Sequence, residues 1–247
     1  PTWTPRILDV LARHQVPATF FVVGSQVARH AGIARRITRE GHQLGVHTFT
    51  HADVAGLPAW RRRAEYAQTE MAITHATGEG TRLLRLPYSS GVDALDDENW
   101  KLTKEAGDLG YISVFSDTDS RDWARPGAPA IVRNATPKGE RGAVVLLHDA
   151  GGDRSQTVAA LDRMIPEMQA RGYRFTTVSG ARHELVQVAQ VGSDGRRVDP
   201  AAIAPTDWRA SAVVWSIRAA DGLVKVFWGV LIVVGLTAGG TLFFYIF

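Results

Sequence analysis

The 247-residue chain has no cysteine. That excludes a disulfide scaffold, thiolate-ligated zinc and a thiol nucleophile. It does not fix the compartment, because many exported proteins carry no disulfide. Charge of one sign is scarce as well. Lys and Arg total 28 against 25 Asp and Glu, a net of +3 with an isoelectric point of about 9.5. So small an excess is no footprint for a nucleic-acid partner. Charged residues are 21% and hydrophobic ones 45%, which excludes a disordered or collagen-like chain. The length suits one large domain or two small ones, with ample material for a core. There is no initiator Met, no basic-then-apolar signal segment and no internal repeat.

Charge is missing altogether from residues 226–247, VFWGVLIVVGLTAGGTLFFYIF. As an α-helix this run would span roughly 33 Å, enough for a bilayer core. Trp228 and Tyr245 stand near its ends, where interfacial aromatics collect. The run therefore predicts a transmembrane helix. Asp207–Lys225 reads as a juxtamembrane helix, and residues 181–204, with Gly-Ser-Asp-Gly at 192–195 and Pro200, as a linker or small hairpin.

Ahead of residue 180 the pattern alternates. Thr4 is a good N-cap and Pro5 a good first helical residue, and Ile7, Leu8 and Leu11 carry the helical period to His14. Helices follow at Val27–Glu40, Pro58–Thr77, Leu95–Leu109, Ala128–Asn134 and Thr157–Arg171. Six apolar runs read as strands: Ala18–Val23, Leu44–Val46, Leu83–Leu86, Tyr111–Phe115, Ala143–Leu147 and Arg174–Val178. Continuous apolar strands alternating with helices predict an α/β fold with a mostly parallel sheet. The chain opens on a helix, so the strand expected to feed it is not present.

Four polar groups end these strands: His47 and His51; Arg85 with Pro87-Tyr88; Asp119, Asp122 and Trp123; and His148 with Asp149. Strand C-termini of a parallel sheet form one face, where ligands bind. Two imidazoles four positions apart suit one divalent ion, although the pair alone also fits two ordinary surface or core histidines and is an incomplete shell. His148 fits a general acid or base, or a structural histidine satisfied by a carbonyl. Asp122 fits a carboxylate orienting His148, and Asp119 or Asp122 could instead cap a turn. Arg85, ending a buried strand, calls for a carboxylate partner, and none is evident beside it.

At these residues the sequence resembles the polysaccharide deacetylase family, the NodB-homology or family 4 carbohydrate esterases. His47-Thr48-Phe49-Thr50-His51 matches H-[ST]-x-x-H, Arg85-Leu86-Pro87-Tyr88 matches R-x-P-Y, Asp119-Ser120-Arg121-Asp122-Trp123 matches D-x-x-D-W, and Leu146-Leu147-His148 matches L-x-H. The resemblance covers about residues 1–180 and implies a distorted parallel (β/α)7 barrel, here without its first strand. It implies hydrolysis of N-acetyl groups from an N-acetylglucosamine-containing polysaccharide, aided by Zn²⁺ or another divalent ion such as Co²⁺. By position His47 and His51 would hold the metal, His148 would protonate the departing amine, Asp122 would tune it and Arg85 would hold the catalytic Asp. The Tyr88 N–H would stabilise the oxyanion, and Trp123 and Leu146 would wall the acetyl-methyl pocket. The family's T-F-D-D motif, source of the base and third ligand, is missing. Truncation ahead of Pro1 is the expectation, and with it inactivity of this stretch alone. Acetylxylan-type O-acetyl esterase and membrane-tethered glycan-binding module stay open beside the deacetylase.

With the distal span, the chain looks like the deacetylase portion of bacterial bifunctional deacetylase/glycosyltransferases. That implies a deacetylase domain over 1–180, a linker and juxtamembrane segment over 181–225, and a membrane helix over 226–247. The catalytic domain would face outward from a bacterial membrane and a glycosyltransferase would follow. Arg209, Arg218 and Lys225 before the span pull the other way under the positive-inside rule.

Overall fold

Pro5 near the start of α1 (Thr4–His14) lacks only an N–H that no helical carbonyl could have used. The helix then buries Ile7, Leu8, Val10 and Leu11. In this computed structural model, which describes residues 1–88, 96–138 and 142–185, the chain alternates strand and helix from there on. Strands β1 (Thr19–Val22), β2 (Gln43–Val46), β3 (Leu83–Leu84) and β4 (Ile112–Ser113) form one parallel sheet in that order. Val22 lies beside Val46, Val46 beside Leu84 and Leu84 beside Ser113. Strands β5 (Thr118–Asp119) and β6 (Val145–Leu146) pair in parallel as a second sheet. Between them run α2 (Gly24–Arg29), α3 (Ala31–Arg39), α4 (Ala59–Thr77), α5 (Asp97–Asp108) and α6 (Ala128–Ala135), followed by α7 (Ser155–Ala170) and α8 (Val178–Leu185).

The apolar faces make two cores. Val46, Leu84 and Leu86 of the sheet side pack with Ile37, Tyr66, Ile73 and Leu102 of the helices. Ile7, Val10 and Leu11 of α1 pack with Ile131, Leu161 and Ile165 of α6 and α7. Phe20 touches both. Each of the fully buried large aliphatics, such as Leu8, Ile37 and Leu84, stabilises by about 1.5–3 kcal/mol.

The α/β class and parallel sheet hold, and several expected boundaries change. Thr4 is not the N-cap. Trp3 occupies that position without a side-chain cap bond, and the Thr4 hydroxyl instead donates to Asp149 Oδ2 at 2.6 Å. The helix expected over 27–40 is two helices. His30, at φ −128 and ψ 45, leaves helical geometry between them. The run 111–115 yields only a two-residue strand, and the next two-residue strand, 118–119, was not evident in the sequence. Residues 174–177 form no strand. A strand needs a backbone partner, and none of the described strands pairs with this segment. The start of α8 just beyond it is held by side chains: the Val178 N–H donates to Thr19 Oγ1 at 3.0 Å, and Gln43 Nε2 donates to Ser179 Oγ at 2.6 Å. No helix among the described residues is long and apolar enough to cross a membrane. The linker beyond 185 and the run 226–247 lie outside the described residues.

Candidate active site

His47 follows β2 directly, its N–H donating to Val22 O at 3.0 Å. Its Nδ1 stands 2.8 Å from Arg85 O. A carbonyl only accepts, so Nδ1 carries the proton and Nε2 keeps its lone pair. Burial lowers the His47 pKa to about 4. The Arg85 carbonyl opposes that shift, while positive charge on His51, Arg85 and His148 adds to it. His47 is thus a neutral imidazole, able to ligate, down to about pH 4.

The His51 ring sits 5.0 Å from the His47 ring, at 72° to it. Tyr88 lies on the other side of His51, with ring centroids 5.2 Å apart. Thr48 and His51 both adopt left-handed backbone, at φ 61 and 60. For a β-branched residue such as Thr48 this is a real outlier, and strain of this kind costs of order 1–3 kcal/mol per residue. Tyr88 has φ 62 as well, and its side chain is 75% exposed.

Buried Arg85 follows β3 directly. It donates to Val114 O at 3.3 Å and to Ser116 Oγ at 3.4 Å. Burial lowers its pKa, and the Asp119 charge opposes that shift. Both oxygens come from the chain that follows β4, which runs beside the end of β3.

Asp122 is 1% exposed and opens a single 3-10 turn, Asp122–Ala124, separated from β5 by two residues. Its Oδ1 lies 2.7 Å from His148 Nδ1. Its Oδ2 accepts the His148 N–H and the Thr157 hydroxyl, both at 2.8 Å. Burial alone would raise its pKa, but these bonds outweigh it and hold the carboxyl below the usual value. A carboxylate at Nδ1 makes that nitrogen the donor and leaves His148 Nε2 to exchange a proton. Arg154, also buried, donates to the Asp122 carbonyl at 3.2 Å and to Ala150 O and Gly151 O. Asp119 is the turn cap: its Oδ1 accepts the Arg121 N–H at 2.8 Å. Trp123 is 57% exposed, and Leu146 of β6 lies beside Asp119.

Two units thus occupy the strand C-termini, the His47–His51 pair beside Tyr88 and the braced Asp122–His148 pair. The orientation of His47, with a backbone carbonyl on Nδ1, is the one metal-ligating histidines use. The pair fits two places of a divalent-metal shell. Among the described residues no group of three or more His, Cys, Asp and Glu is placed to hold an ion.

Glu65, Thr157 and Arg154 were not singled out in the sequence. A signal for two of them was present. Glu65 falls in the buried stripe of α4 with Thr69, Ile73 and Ala76, and Thr157 in that of α7 with Ala160, Leu161 and Met164. A polar residue inside an apolar stripe needs a partner.

A family model described as polysaccharide deacetylase matches residues 1–111. A peptidoglycan-N-acetylglucosamine deacetylase of Bacillus cereus is 38% identical over 181 residues, covering 72% of this chain and 81% of its own. A chitooligosaccharide deacetylase of Sinorhizobium fredii is 38% identical over 184 residues, covering 70% of this chain and 82% of its own. The crystal structure of the Bc1960 peptidoglycan N-acetylglucosamine deacetylase superposes with a TM-score of 0.65 at 30% identity, over 73% of this chain and 81% of that one.

Proposed function

This chain belongs to the polysaccharide deacetylase family, carbohydrate esterase family 4, and is a polysaccharide N-deacetylase; from that premise we propose that it removes acetyl groups from the N-acetylglucosamine units of a glycan. The family generally uses a divalent metal, and here zinc, or a similar ion such as cobalt, would be held by His47 and His51. When bound, such an ion supplies Lewis acidity toward an acyl oxygen and toward water.

The base that takes the proton from water is the catalytic Asp that the resemblance implies, and residues within 1–180 take the other roles. His148 Nε2 gives a proton to the departing amine, because Nδ1 is committed to Asp122. Asp122 fixes the imidazole's tautomer and orientation, and Thr157 and the His148 N–H fix Asp122 in turn. Arg85 contributes fixed positive charge beneath the site, as the partner proposed for a catalytic Asp. The Tyr88 N–H would donate to the developing oxyanion, a role supported by its left-handed backbone and by its ring lying beside His51. Trp123 and Leu146 supply apolar wall for the acetyl methyl. The observation that carries this reading is the braced Asp122–His148 pair at the same strand ends as a His47 whose Nδ1 is committed to the Arg85 carbonyl, which leaves Nε2 to ligate.

Acetate release by the full-length protein tests it. Chitin oligosaccharides or peptidoglycan glycan should be turned over faster than acetylxylan. Preference for acetylxylan would make the chain an O-acetyl esterase, and release from none would favour a glycan-binding module.

The uncharged run 226–247 supports a further placement: in a bacterial membrane, with the deacetylase domain outward and a glycosyltransferase following in the full-length chain. Retention of the protein in the membrane fraction through alkaline carbonate is the expected result, and release would remove that reading.

A further inference from the structure

A carboxylate outside every motif grips the loop between the two histidines. Glu65 lies two turns into α4 and is 1% exposed. Its Oε2 accepts the N–H groups of Phe49 and Thr50, both at 2.8 Å. Its Oε1 accepts the Thr50 hydroxyl at 2.9 Å and pairs with Arg61 at 3.2 Å. The same loop is also held by α2, which packs against α4. The Gly24 and Ser25 N–H groups donate to Thr48 O and Phe49 O, each at 3.0 Å. That approach requires glycine at 24, since a Cβ there would stand 2.5 Å from the Phe49 ring and 2.8 Å from Thr69 Cα.

The gripped peptides lie between two residues in left-handed backbone, Thr48 and His51. Such conformations persist only where the surroundings over-determine them. A buried carboxylate that accepts three hydrogen bonds from two successive loop residues, beside one from Arg61, supplies that determination, and burying it without those partners would be costly. Other buried carboxylate contacts of α4 are of a different kind: Glu70 bonds to Tyr111 and Arg82, away from the histidine loop.

We propose that Glu65 is a positioning residue for the histidine pair: its carboxylate fixes the Phe49–Thr50 backbone so that the His47 and His51 rings face one cation. This rests on the reading above that the pair holds the metal. Glu65 itself touches neither metal nor glycan. The dependence runs through hydrogen-bond acceptance rather than charge. A glutamine oxygen can accept both N–H groups, and its NH₂ can donate to the Thr50 hydroxyl. Alanine can do neither, and aspartate keeps the charge but is one methylene too short to reach.

The test is zinc affinity by isothermal titration in the full-length protein, beside imidazole NMR of the metal-free protein. Glu65→Ala should weaken zinc binding by roughly 10–100-fold, the usual cost of losing a group that orients metal ligands. Glu65→Gln should restore most of that loss. In the metal-free spectra Glu65→Ala should shift or broaden His47 and His51 and leave His148, braced by Asp122, unchanged. Should the alanine variant fail to fold, Glu65→Asp takes its place, with the same weakening expected. Wild-type zinc affinity in folded Glu65→Ala or Glu65→Asp, or a glutamine variant as weak as alanine, would overturn the proposal. His47→Ala separates the two claims. If it leaves zinc binding intact, the metal assignment fails. If it abolishes binding while the Glu65 variants bind normally, only the role of Glu65 fails.

Discussion

His148→Ala should lower kcat by roughly 10²–10⁴-fold, the usual contribution of a positioned acid or base, while zinc affinity stays near that of the wild type. The two effects separate because His148 is anchored through Nδ1 to Asp122, not to the histidine pair. Its removal leaves the His47 bond to Arg85 O and the loop at 48–50 in place. The substitution also strips Asp122 of a side-chain bond, but the His148 backbone N–H and the Thr157 hydroxyl remain on Oδ2. The buried carboxylate therefore keeps partners, and the fold should survive. Single-turnover kinetics with zinc titration reads both quantities. A kcat within a few-fold of wild type, on the scale of that expected loss, would remove His148 from proton transfer. A parallel collapse of zinc affinity would make it a ligand instead.

How far the sequence disclosed this site depended on whether each contact was local. His47 and His51, Arg85 and Tyr88, Asp122 and His148 each stand just beyond a short apolar strand, and strand ends of a parallel sheet share a face. Their gathering followed from order alone. The bond partners did not. Glu65 reaches back 15 residues to Thr50, and Thr157 reaches 35 to Asp122, and only helix packing brings them there. Thr4 illustrates the same limit: a good capping residue by type, it is claimed by Asp149, 145 positions away. Propensity yields to a tertiary partner when that partner is a carboxylate on a neighbouring loop.

Strand boundaries were the least legible part. Tyr173 and Phe175 pack into the second core, so 174–178 carries an apolar signal. Pairing is non-local, however, and Val178 starts a helix. The break at His30 was equally hidden, since the apolar period of 27–40 continues through it as Ala28, Ala31, Ala34 and Ile37 are all buried. Periodicity reports which face is buried. It does not report whether one axis or two carry that face.

The second large effect concerns the metal. His47→Ala and His51→Ala should each reduce zinc affinity by more than the roughly 10–100-fold typical of losing an orienting neighbour, since each removes a ligand outright. Activity should fall with it. The two variants should differ in stability. His47 is half-buried and bonded to the Arg85 carbonyl, so His47→Ala also leaves a cavity and a carbonyl without that donor, costing of order 1–3 kcal/mol. His51 is exposed, with ring contacts to His47 and Tyr88, and its loss should cost little. Zinc titration beside urea denaturation separates binding from folding, and normal zinc affinity in either folded variant would exclude that histidine as a ligand.

The most direct measurement of a metal-assisted N-deacetylase is acetate release from an N-acetylglucosamine oligomer by the full-length protein. It would be followed through chelation and then zinc restoration, in the wild type and in His51→Ala. The account predicts release that stops on chelation, returns with zinc in the wild type and does not return in His51→Ala at the same zinc concentration. Release that persists in the fully metal-depleted protein, or that zinc restores equally in His51→Ala, would contradict it.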